Sequence, residues 1–162
     1  MTRPSWVTAA YLTLVAAPAA TQQTGSVGID GGLSASGPGL AARANLLAQF
    51  GAFSLGPEVG ASGLGDGAEV WHAGGAFRLS GTAGRIRAHG TAGVSYYSWN
   101  RCAECGRLSL LGISVGAGAR LARPASWLSL GADLRWDRQV QGLGAAQEMS
   151  FVTVTLGLAL HW

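Results

Sequence analysis

The chain has 162 residues, of which 48% are hydrophobic and only 12% charged, and its formal net charge of +3 comes from 8 acidic and 11 basic residues, all of the latter arginine. Soluble domains carry about 25% charged residues, so a water-facing surface would be short of ionic groups, while the apolar content excludes a disordered chain. No apolar run beyond the N-terminus reaches the roughly 18 residues of a membrane helix, and the scattered arginines form no nucleic-acid-binding patch.

Residues 1–20 read as a secretory signal peptide. Arg3 supplies the positive start, residues 7–17 the apolar stretch broken by Thr8 and Thr13, and Ala17, Ala19 and Ala20 the small residues for cleavage. Even with the small residues that follow, 7–20 makes a stretch of about 14 residues, too short to cross the roughly 30 Å of a bilayer as a helix. The remaining chain, 21–162, is sized for one domain.

From Ser26 onward the sequence alternates with a period of two, the signature of strands that present one apolar face. In chain order the apolar parity begins with Val27, Ile29 and Leu33, then Ala42, Ala44, Leu46 and Phe50. Phe53, Leu55, Val59 and Ala61 follow, then Trp71, Ala73, Phe77 and Leu79. Next come Ile86, Ala88, Val94 and Tyr96, and Leu111, Ile113, Val115 and Leu121. Leu128, Leu130, Leu134 and Trp136 precede the cleanest run, Val152, Val154, Leu156, Leu158, Leu160 and Trp162. Gly-, Pro-, Asp- and Ser-rich turns separate eight candidate strands. Turns near 50–53, 80–84 and 122–126 look tight, and those near 36–41, 98–107 and 138–148 longer, with 63–67 the exception. Alternating short and long connections predict an all-β, eight-stranded antiparallel up-and-down barrel.

The other parity is mostly Gly, Ser, Ala and Thr, a poor solvent surface and a good lining for a narrow lumen. The large apolar parity is therefore expected to face lipid. Phe50, Phe53, Trp71, Phe77, Tyr96, Trp136 and Trp162 lie on it near strand ends, where two aromatic girdles at the membrane interfaces would stand. A strand crosses a membrane with about 9–11 residues, so this length holds eight strands and excludes sixteen.

These features, with the terminal Val-x-Leu-x-Leu-x-Leu-x-Trp of residues 154–162, resemble the small eight-stranded outer-membrane barrels of the OmpA/OmpX type. The resemblance implies an outer membrane of a Gram-negative-type bacterium, periplasmic termini, and contact with outer-membrane lipid and lipopolysaccharide. It also implies that Trp162, where phenylalanine is more usual, is the residue read by the barrel assembly machinery. A monomer with no nucleic-acid partner and no cofactor is expected.

The polar parity places Asp30, Arg43, Asn45, Gln49, Glu58, His72, Arg78, Arg85, Arg87, His89, Arg120, Asp133, Arg135 and Asp137 toward the lumen. Eight strands enclose only enough room for side chains, so these charges are expected to pair in a plugging network. If the turn at 50–53 sets the register, Asn45 faces Glu58 and Arg43 lies one diagonal away. Arg78, Arg85 and Arg87 gather near a short-turn rim. Cys102 and Cys105, with no further metal-ligand spacing, are a candidate disulfide in a loop of an oxidising compartment.

The expected role is non-enzymatic, structural or surface-interacting through the loops. Some outer-membrane barrels of this size act on lipid A, and the deacylase kind uses a lipid-facing His and Ser, whereas here His72 and His89 sit on the lumen parity. A lipid-A-modifying enzyme and a secreted soluble barrel holding a small apolar ligand are the alternatives.

Overall fold

A computed structural model describes residues 25–34, 39–65, 68–100, 107–122, 127–141 and 149–162. The strands are β1 (Gly25–Ser34), β2 (Gly39–Phe50), β3 (Phe53–Gly65), β4 (Ala68–Ala83), β5 (Ile86–Asn100), β6 (Leu108–Ala122), β7 (Leu128–Gln141) and β8 (Ser150–His161). Each pairs antiparallel with its chain neighbour, and β8 returns to β1, closing the barrel. The fold is the eight-stranded antiparallel barrel that the period-two pattern predicts. Closure leaves no sheet edge with unpaired backbone groups.

The seam is tied at one end by the first and last described residues: Gly25 and Trp162 exchange backbone hydrogen bonds, each 3.2 Å. This terminal end also holds the turns at 51–52 and 84–85; the opposite, distal end holds the connections that begin after Ser34, Gly65, Asn100 and Gln141. Gly51 and Gly84 take φ of 63° and 61°. Side chains rarely adopt that left-handed conformation, which lets two residues reverse strands with the right twist. Two irregularities interrupt the ladders: between β3 and β4 Gly63 pairs with Glu69 and Gly65 with Ala68, so Leu64 is an extra residue, and between β6 and β7 Leu111 pairs with Gln141 and Gly112 with Gln139, so Val140 is another.

The alternation is inside out relative to a soluble protein. Leu156, on the middle of β8, is 66% exposed and Leu158 51%, whereas Asp137 is fully buried and Arg135 2% exposed. All seven aromatic residues assigned to the girdles lie on the outer wall, where Phe53 and Phe77 meet with ring centroids 5.6 Å apart. Cys102 and Cys105, and residues 1–20, fall outside the described residues.

Turn strain and packing make separable predictions. A methyl group added at Gly51, Gly84 or Gly75 meets nothing within 4 Å, but only the first two positions have positive φ. Gly51→Ala and Gly84→Ala each lower unfolding free energy by about 1–2 kcal/mol, while Gly75→Ala stays within about 0.5 kcal/mol. Denaturant titrations followed by the gel mobility of the folded barrel measure all three.

Candidate functional site: a charged lumen under an apolar cap

A narrow barrel lumen has no room for the water that normally solvates charge, so each ionised group there needs a protein partner. Asp30, Glu58, Asp133 and Asp137 face Arg43, Arg120 and Arg135, all buried, and Arg78. They form two groups.

Nearer the terminal end, Arg120 Nη2 donates to Asp30 Oδ1 at 3.2 Å and to Asp133 Oδ2 at 3.5 Å. Asp133 Oδ1 also meets His89 Nε2 at 2.5 Å, and Asn45 Nδ2 donates to Asp30 Oδ2 at 3.4 Å. The second group centres on Arg135, whose guanidinium donates to Glu58 Oε1, to Asp137 Oδ1 at 3.2 Å and to Ser114 Oγ. Glu58 additionally faces Arg43 Nε at 3.9 Å and His72 Nε2 at 3.5 Å, and Arg43 donates to Thr153 Oγ1 at 3.0 Å. Between the groups lies a space of about 10 Å³ lined by Arg43, Glu58, Arg78, Thr91, Asp133 and Arg135. That is room for about one water molecule, and buried Arg78 Nε and Thr91 Oγ1 have no hydrogen-bond partner among the described residues.

The sequence places room beside these side chains. A Cβ at Gly60 would overlap the His72 ring, at Gly157 the Asp30 carboxylate, and at Gly131 the Arg120 stem. At Gly118 it would come within 2.6 Å of Asp133 Oδ1 and 2.7 Å of His89 Nε2. Register explains the pairing of small with large: Gly60 lies between Arg43 on β2 and His72 on β4, and Gly157 sits opposite Asp30.

Asn45 is paired with Glu58 in register, and Arg43 reaches the same carboxylate. The structure brings together Asp30, Arg43, Glu58, His72, His89, Arg120, Asp133 and Arg135, and sets Arg78 at the central space. Arg87 is half-buried near the terminal end. Arg85 does not face the lumen. It is exposed in the 84–85 turn, because Gly84 reverses the chain there and the strand parity does not run through it.

Three features escape a reading by polar parity alone. Val70, Tyr97, Leu110, Met149 and Phe151 are buried inside the distal end, with Leu64 and Trp99 packed against them, so the lumen is capped by apolar side chains. Tyr97 joins cap to network: its hydroxyl donates to Asp137 Oδ1 at 2.7 Å and its ring lies 5.6 Å from that of His72. Val70 shares the parity of His72, and Phe151 that of Thr153, which is the signal that would have revealed the cap. Finally, Ser129 Oγ and His161 Nε2 lie 2.9 Å apart near the terminal end.

Solved structures share this architecture. Neisserial surface protein A superposes with a TM-score of 0.67 at 10% identity, over 85% of this chain and 94% of that one. The N-terminal β-barrel domain of Pseudomonas aeruginosa OprF gives 0.65 at 13% identity, over 86% and 98%. The fold is that of the small outer-membrane barrels. The outer membrane enzyme PagL also has it, with a TM-score of 0.52 at 15% identity over 83% and 98% of the two chains. No family model and no curated protein matches the chain.

Removing Glu58 leaves Arg135 with one carboxylate fewer and Arg43 with none within 4 Å among the described residues. Glu58→Ala therefore destabilises the barrel by about 3–5 kcal/mol, the cost of breaking a buried pair. The folded band in a heat-modifiability gel then disappears at a lower temperature than in the parent; an unchanged transition contradicts the network's energetic role.

Proposed function

We propose that the chain is a monomeric, non-conducting and non-enzymatic β-barrel of a Gram-negative-type outer membrane, acting as a structural or surface-interaction protein through its distal loops. The observation that carries this reading is the reversed polarity of the wall. Leu156, Leu158 and Leu160 are exposed while Asp30, Glu58, Arg120 and Arg135 are buried, an arrangement stable only where the surroundings are apolar. A soluble barrel for an apolar ligand needs the opposite arrangement.

In this reading residues 1–20 direct export and are removed, the termini face the periplasm, and Trp162 meets the assembly machinery. Lipid and lipopolysaccharide surround the aromatic girdles. The side-chain network and the apolar cap keep the lumen from conducting ions. Fractionation after expression with the native leader tests the location: recovery in the soluble fraction rejects it. Within the bilayer, Leu156→Arg at mid-strand destabilises the folded barrel by about 2–4 kcal/mol, whereas arginine on the same outer parity at a strand end, Ala83→Arg, costs about 0–1 kcal/mol. Equal effects in lipid vesicles contradict a lipid-facing wall.

An enzymatic reading has one observation in its favour, the Ser129–His161 contact. A serine nucleophile needs a base, an orienting partner for that base, and access. Ser129 is 2% exposed and buried His161 Nδ1 has no hydrogen-bond partner among the described residues, so two of the three are missing. An altered lipid A acyl pattern in a deletion strain would favour the enzyme over the structural role.

The same export reading makes Cys102 and Cys105 a disulfide. The mature protein then gains about 2 Da on reduction, and two free thiols in the untreated protein reject the bond.

A further inference from the structure

Among the described strand residues one arginine faces outward. Arg43, Arg78, Arg87, Arg120 and Arg135 lie on the inner parity of their strands, whereas Arg138, near the distal end of β7, is exposed on the outer wall. A cation on a lipid-facing strand is costly unless it reaches the headgroup level, where anions can meet it. Arg138 stands at that level. It lies one outward step beyond Trp136 of the aromatic girdle, and the bulged Val140 interrupts the ladder just after it.

Its neighbours hold it in place. The Arg138 guanidinium lies over the Trp136 ring, 6.0 Å from the centroid, and Trp136 Nε1 donates to Ser150 Oγ at 2.9 Å. Ser150 is the register partner of Arg138 on β8 and is itself exposed, so a guanidinium and a hydroxyl start from directly opposed positions on the outer wall. The hydroxyl accepts from the indole and keeps its own proton to donate. The backbone beside the pair is tied down: Gln139 N donates to Met149 O at 2.9 Å, and Met149 N to Gln139 Oε1 at 3.3 Å. Toward the membrane interior the wall is apolar, with Val115, Leu134 and Val154 about half exposed. Glu69, the one outward-facing carboxylate among the described residues, is on β4, three strands away.

We propose that Arg138 and Ser150, both held by Trp136, form a site for one phosphate group of lipid A, whose acyl chains lie on the apolar wall beneath. The inference rests on the membrane reading above and on its orientation, which turns the distal end toward lipopolysaccharide. A phosphate monoester can take charge-assisted hydrogen bonds from the guanidinium and one more from the serine hydroxyl, and the aromatic ring beneath the guanidinium fixes its plane. Phospholipids of the opposite leaflet carry their phosphates at the terminal end, a bilayer's thickness away. An acidic protein fits less well, because it would leave the exposed Val115, Leu134 and Val154 next to the site without a lipid to cover them.

The test uses the full-length barrel in detergent micelles supplied with equal amounts of bisphosphorylated lipid A and of lipid A stripped of both phosphates. Native mass spectrometry counts what is retained. The phosphorylated form is expected to be favoured about two- to fivefold, the factor an exposed ion pair provides. Arg138→Gln removes that preference while lipid is still retained, and Ser150→Ala lowers it by about a factor of two. Arg85→Gln, in the exposed turn at the opposite end, leaves it intact. Equal retention of the two forms, an unchanged preference in Arg138→Gln or Ser150→Ala, or an equal loss in Arg85→Gln overturns the site. Retention of inorganic phosphate in place of lipid A, with both supplied at equal concentration, overturns the lipid as its occupant. A preference lost in Arg85→Gln and kept in Arg138→Gln overturns site and orientation together. A barrel that needs micelles to stay folded but shows no phosphate preference leaves the membrane reading standing and sinks only the site; one that stays folded and lipid-free in buffer sinks both.

Discussion

The barrel is held by charges that have no water to turn to. In an eight-stranded lumen the space left by the backbone is filled by side chains, and an arginine there either finds a carboxylate or carries a desolvation cost of several kcal/mol. Arg135 meets Glu58 and Asp137 at once, and Arg120 meets Asp30 and Asp133. The Arg135–Asp137 bridge lies within β7 and Arg120–Asp133 joins neighbouring strands, but Arg135–Glu58 and Arg120–Asp30 join strands distant around the circumference and brace the cylinder across its width. Arg135 and Glu58 are 77 residues apart, and Arg120 and Asp30 are 90. Backbone ladders fix neighbouring strands; these bridges resist collapse or splaying of the section.

Long side chains fit across such a lumen only if others are absent. Glycines that face the lumen, which would weaken a soluble sheet through backbone entropy, acquire a steric reason here. Gly157 leaves room for the Asp30 carboxylate, Gly60 for His72, and Gly118 for both His89 and Asp133. The absence of lysine from the sequence follows the same logic. A guanidinium spreads its charge over a planar fork that can serve two acceptors, as Arg135 does for Glu58, Asp137 and Ser114, whereas an ammonium on a flexible stem suits a solvated site better.

Much of this was legible in the sequence, because a period of two read over eight segments leaves few alternatives for the fold. The hairpin at 50–53 was legible to the residue: a two-residue turn fixes register, so Asn45 falls opposite Glu58. Partners across the lumen were not. Which carboxylate faces Arg135 depends on strand tilt and on stagger accumulated around the whole barrel, quantities that no local window contains. Arg85 shows the other limit, since parity fails wherever a turn interrupts the strand. The cap was hidden for a different reason: Val70, Leu110 and Phe151 are apolar residues on the inner parity, and an argument built on apolar residues facing outward passes over them.

That cap changes the energetics of the charges beneath it. With Val70, Leu110, Met149 and Phe151 closing the distal end, the Arg135 group lies between an apolar ceiling and the Arg120 group, and the space between the two groups admits about one water. Electrostatic interactions strengthen as water is excluded, and so does the penalty for losing a partner. Tyr97 is where the two regimes meet, its ring among the apolar residues and its hydroxyl on Asp137. An apolar side chain replacing Tyr97 would keep the cap's volume and leave one oxygen of Asp137 with a donor fewer, while a smaller polar one would keep chemistry and admit water. Neither half of its role is separable from the other, which ties the closure of the lumen to the stability of the network that fills it.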